Sequence, residues 1–192
     1  MDRTPLHAFV AELAANERFQ AFAKALPARA RVSEPALPLL LAALASLPID
    51  HLVRQKHAGA NLNFFKLEQA AVPPPELYDS PAPWSPDQRL EHWVLTRFAA
   101  AVRWHGELAP LAQELRRLGV DPDGEGVTRL GREAALAELD AAHAVLLGLG
   151  RADLEHVLST FTALRAREER ALGRFATGAR VLEAYDRLVT GR

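Results

Sequence analysis

Between Arg54 and Lys66 the chain reads RQKHAGANLNFFK, a mixture of groups able to meet a nucleic acid. Arg54, Lys56 and Lys66 can neutralise phosphates. Gln55, Asn61 and Asn63 carry amides that bond base edges or the sugar–phosphate backbone, and Gly59 allows close backbone approach. Upstream, Arg29 and Arg31 extend the basic set. The same residue types also fit a plainer arrangement, a polar helix end followed by an edge strand whose Phe64 or Phe65 fills the core.

Other chemistry is thin. The chain contains no G-x-S-x-G elbow, no H-E-x-x-H zinc helix, no phosphate-binding G-x-x-x-x-G-K-[ST] loop and no G-x-G-x-x-G fingerprint, so no residue is assigned as catalytic. Asp121, Asp123 and Glu125, with Gly124 and Gly126, form a faint likeness to a calcium loop. The bidentate glutamate that such a loop needs is not at the required spacing, and a solvated turn is expected. Seven histidines invite a metal reading. His7, His92, His105, His143 and His156 sit singly on helical stretches, where surface or half-buried side chains are expected. His51 and His57 are poorly spaced for ligation, so no metal ligands are assigned.

Composition bounds the rest. A chain of 192 residues, 49% hydrophobic and 24% charged, has the profile of a soluble globular protein of one or two domains. No apolar run approaches the roughly 20 residues of a membrane span. The N-terminal residues MDRTPLHAFVAEL lack a secretory pattern, and the absence of cysteine removes disulfides and thiolate chemistry. A cytoplasmic location is the expectation. Residues 1–72 hold 8 Lys+Arg against 6 Asp+Glu, residues 73–160 hold 8 against 14, and residues 161–192 hold 7 against 4. The ends are basic and the middle acidic.

The elements that must position these residues are mostly helices. Phe9, Leu13, Phe19, Phe22 and Leu26 follow a helical period, with Pro27 as a stop. Residues 37–47 are almost wholly apolar and fit a buried helix or a strand, with leucine and alanine favouring helix. IDHLVRQKH fits a short helix. A short strand is expected near 61–69. Pro73, Pro74 and Pro75 then force an extended exit. Ser85-Pro86-Asp87-Gln88 reads as a capping box that starts a helix running to about Trp104. Further helices are expected to end at Leu118 before Gly119, to fill 132–147 before Gly148, and to cover 153–160 and 180–188, the last two separated by the charged stretch RAREERALGRFATG. The expected fold is therefore mainly α, with a short β element near 61–69. Three parts follow: 1–72, a proline-rich linker at 73–85, and a helical region at 86–192.

Taken in order, these strings resemble the C-terminal part of large adenine-specific DNA methyltransferases, of the kind that fuse restriction and methylation or act in phage exclusion. Arg54, Gln55, Lys56, Gly59, Phe64, Phe65, Gln69, Pro74 and Pro75 match the end of that family's target-recognition domain, and Asn16, Glu17, Arg18, Pro27 and Arg29 match a segment before it. REAALAELDAAHAVLLGLGRADLEHVLSTF and ARVLEAYDRL are similar to the helical C-terminal region. The match is collinear from about residue 12 to 189, with departures at Ala60, Ala70, Ala71, Thr162 and Gly178. The resemblance implies a noncatalytic module, whether a split subunit, a fragment or a remnant. Double-stranded DNA would be its partner, with a separate methyltransferase catalytic chain as a candidate second partner. S-adenosylmethionine and the asparagine–proline–proline–tyrosine motif belong to a catalytic domain that this sequence does not contain, so no cofactor is expected here. The competing expectation is a helical interaction module that docks on such a catalytic chain and barely touches DNA.

Overall fold

The apolar run at 37–47 has no polar face, and a helix of that kind must be buried on all sides. The computed structural model describes residues 36–56, 70–103 and 109–191. In it the run becomes helix α1 (Ala36–Leu44), with Leu39, Leu41, Ala42, Ala43 and Leu44 in the core. Ser46 breaks the helix by donating its hydroxyl to the Ala43 carbonyl at 2.7 Å. Helix α2 (Leu47–Lys56) follows at a bend of 74°. Its first-turn Pro48 removes an N–H that no helix start needs. Asp140, far along the chain, accepts the Leu47 N–H at 2.9 Å.

Pro74 has the polyproline angles expected of it, φ −65° and ψ 146°. The proline segment then packs. A 3-10 turn at Pro75–Asp79 buries Tyr78, and strands β1 (Pro81–Ala82) and β2 (Ser85–Arg89) form an antiparallel hairpin. The helix expected from Pro86 therefore starts later, as α3 (Leu90–Val102), after extended Arg89. The capping-box pattern loses because Ser85 pairs with Ala82 and Trp84 packs edge-on against Trp93, ring centroids 4.9 Å apart. This hairpin is the β element among the described residues, and the strand expected at 61–69 lies outside them.

Beyond α3 come α4 (Ala109–Arg117), α5 (Glu125–Thr128), α6 (Arg132–Leu146), α7 (Arg151–Ser159), α8 (Thr162–Leu172) and α9 (Ala176–Thr190). Gly119 and Gly148 take the left-handed φ values of +82° and +71° that stop α4 and α6 where the sequence marks them. The charged stretch expected only to separate two helices forms α8 and the start of α9. Its charges are spaced for helix: Arg165 pairs with Glu169 one turn on, at 2.8 Å.

The fold is mainly helical with a small two-stranded antiparallel sheet. Helix α6 is the centre, packed between α3 and α9, with α1 on α3 and α7 on α2 and α9. One apolar cluster joins α1, α2, the 3-10 turn and the hairpin to α3, α4 and α6 through Leu41, Ile49, Tyr78, Ala82, Phe98, Leu115 and Leu139. A second joins α6 to α7 and α9 through Leu154, Phe161, Val181 and Tyr185. Described residues on both sides of the proline segment thus share one core. Among the described residues no single helix is long and apolar enough to cross a membrane.

Candidate nucleic-acid surface

Arg54 and Gln55 are exposed on the last turn of α2, which ends at Lys56. The helix that carries them is held at both levels of its buried side. Ile49 and Val53 lie in the core, and Asp140 satisfies the N-terminal amide of Leu47. Of the other residues expected at the DNA surface, Arg29, Arg31, Gly59, Asn61, Asn63 and Lys66 lie outside the described residues, as does the side chain of Lys56.

The Arg54 guanidinium is engaged in the free fold. It donates from Nε to Asp50 Oδ1 at 2.9 Å and from Nη2 to Oδ2 at 2.7 Å, a two-point fork one turn back along α2. It also lies over the Phe161 ring, 5.4 Å from the centroid. A phosphate approaching Arg54 meets a guanidinium already paired with a carboxylate. Arg54 is 44% exposed and Asp50 only 14%, so a phosphate that draws Arg54 away leaves a mostly buried carboxylate without this partner, at a cost.

Behind Arg54, sequence reading missed a contact between α2 and α7. His51 is buried, with Nδ1 3.1 Å from Thr160 Oγ1. That hydroxyl gives its proton to the Val157 carbonyl at 2.7 Å, so it accepts, and His51 Nδ1 carries the hydrogen. The His156 ring stands edge-on at 6.3 Å. Burial first, then His156 and Arg54, push the His51 pKa down against the pull of Asp50. His51 is a neutral tie between helices. Among the described residues no group of three His, Asp or Glu side chains could hold a metal ion. The Asp121–Asp123 turn is bound instead by Arg116, at 3.3 and 2.6 Å.

The remaining polar groups of chemical interest are inside. His143, expected at the surface or half-buried, is fully buried, because α6 is covered by α3 on one side and α9 on the other. Its Nδ1–H donates to the Leu139 carbonyl at 2.7 Å, leaving Nε2 to accept from the Tyr78 hydroxyl at 3.4 Å. Burial pushes the His143 pKa down to about 4 and the Tyr78 pKa up. The two rings fasten the 3-10 turn onto α6 and offer nothing to solvent. Arg97 of α3 pairs with Glu138 of α6 at 2.8 Å and lies 3.8 Å from the Trp93 ring centroid. Local sequence could not announce these contacts, since 41 residues separate Arg97 from Glu138 and 65 separate Tyr78 from His143. Comparison of the chain with protein-family models finds no match, and neither does comparison with curated proteins or with solved structures.

Proposed function

We propose that this chain is a noncatalytic, DNA-associating module of a site-specific adenine-N6 DNA methyltransferase system for restriction or phage defence, working in the cytoplasm. The observation that supports it is the placement of α2. A helix clamped to the core at its start delivers Arg54 and Gln55 to solvent at its end, where the sequence continues into Lys56 and the amide-rich residues 57–69. Arg29, Arg31, Arg54 and Lys56 neutralise phosphates, and Gln55, Gly59, Asn61, Asn63 and Lys66 are the further DNA-contacting residues. Methyl transfer, with its S-adenosylmethionine, belongs to a separate catalytic domain or chain.

Titration of the full chain into labelled double-stranded DNA tests this by fluorescence anisotropy. These four phosphate contacts by themselves predict affinity falling by at least about 100-fold between 50 and 200 mM salt. Binding that does not weaken as salt rises contradicts a phosphate-dominated contact. The second reading, docking of the helical half on a methyltransferase catalytic chain, draws support from the acidic balance of residues 73–160. Copurification with such a chain, without measurable DNA affinity, would favour it.

A further inference from the structure

Helix α8 is nearly all surface: of its 11 residues only Leu164 is fully buried. Residues 162–174 carry Arg165, Arg167, Arg170 and Arg174 against Glu168 and Glu169. Both carboxylates have structural tasks. Glu168 accepts the Thr177 amide at 2.8 Å and its hydroxyl at 2.6 Å, securing the start of α9, and Glu169 accepts from Arg165 Nε at 2.8 Å. Arg167 and Arg170, three residues apart, are both exposed, each about 100° around the axis from one glutamate and about 160° from the other at 100° per residue. Arg170 donates Nε to the Ala166 carbonyl at 3.1 Å, a contact that leaves its full charge uncancelled. Arg174 is exposed just beyond Gly173, which stops the helix at φ +71°.

The position of this face matters as much as its charge. Phe161, the residue directly before α8, is the ring that lies under the Arg54 guanidinium. The solvent-facing end of α2 therefore meets the beginning of α8, which continues for about 16 Å at 1.5 Å per residue. A duplex presents one negative charge per about 1.7 Å of its axis, so a surface of that length faces several phosphates. An apolar partner is less suited to it: Leu172 and Val189 are the exposed large hydrophobics among the described residues, and single exposed apolar residues are ordinary on any protein surface.

We propose that the outward face of α8, with Arg174, is a second phosphate-contacting surface that continues from the end of α2 and binds duplex DNA without regard to sequence. It rests on the reading of the chain as a DNA-associating module. The test is anisotropy of the full chain with a random-sequence duplex at 50 and 200 mM salt, using the wild type, R170A/R174A and R170K/R174K. Thermal melts establish that all three fold alike.

Loss of two phosphate contacts makes the slope of log affinity against log salt shallower by about 2 in R170A/R174A. The affinity ratio between the two salt concentrations then shrinks about tenfold, and R170K/R174K keeps the wild-type slope. Wild-type binding with an unchanged slope in R170A/R174A overturns this surface and leaves the module reading standing. An unchanged slope together with lost copurification of a methyltransferase chain also overturns it, and gives the face to a protein partner. A wild type that binds no DNA at either salt overturns both readings.

Discussion

Helices α3 and α8 share alanine, leucine, arginine and glutamate, but α3 adds Trp93, Phe98, Val94 and Val102, and the two use their arginines in opposite ways. In α3, nine residues are buried, and its arginine is part of the interior: Arg97 stacks on Trp93 and pairs across to Glu138. In α8 one residue is buried; Arg165 pairs with Glu169 one turn on and lies over the Phe175 ring, and Arg170 bonds a carbonyl of its own helix. Burial raises the value of a charge partner because the medium around it screens less. The arginine of α3 is therefore a structural part, while Arg170 of α8 is exposed and bonds only a backbone carbonyl. The same divide separates the polar groups held by α6 from the surface ion pairs of α7 and α9.

The largest expected effect concerns the inside of that divide and is set by pH. The folded His143 pKa of about 4 lies below the 6.5 of an ordinary histidine. Between those two values the unfolded chain takes up a proton that the folded chain refuses. The stability from this group is complete above about pH 6.5 and is lost as pH falls toward 4, by an amount on the order of 3 kcal/mol. Urea midpoints measured from pH 7 to 4 should fall more steeply for the wild type than for H143Q. Equal slopes would show that His143 is not sealed in the core as described.

A smaller loss is expected from R97A, about 1–2 kcal/mol by urea denaturation. It strands Glu138 in a half-buried site and removes the cation from the Trp93 face, while Arg187 at 3.8 Å takes up part of the Glu138 charge. The smallest effect belongs to R170A, whose stability should stay within about 0.5 kcal/mol of wild type, as for other exposed substitutions. Equal costs for R97A and R170A would break the contrast between the two helices.

Much of the fold was legible locally. Gly119 and Gly148 marked two helix ends because only a residue without a Cβ takes their left-handed angles easily. The apolar run at 37–47 and the alanine-rich run at 132–147 became α1, with the start of α2, and α6. The Ser85–Gln88 motif misled because a capping box is a local signal, whereas the hairpin is decided by pairing with Pro81–Ala82 and by Trp84 meeting Trp93. RAREER failed to read as helix because it has no apolar stripe; its support is Arg165–Glu169 pairing and a Glu168 contact to the next helix. For the candidate site, the place of Arg54 and Gln55 at a helix end and the Asp50 partner one turn away follow from spacing. The meeting of Arg54 with Phe161 does not.

By itself, the sequence determined that this protein is mainly helical, where several helices stop, that these 192 residues hold no cysteine, and that its acidic residues concentrate in the middle, at 73–160. These are properties of residue type and of neighbours within about one helical turn. Only the tertiary structure decided which polar residues are interior and which are surface. It sank His143 and Asp140 into α6, spent Arg97 on Glu138, and brought the end of α2 against the start of α8. The reason is physical: a side chain's burial is set by what packs over its helix, and the helices that cover α6 come from positions distant in the chain.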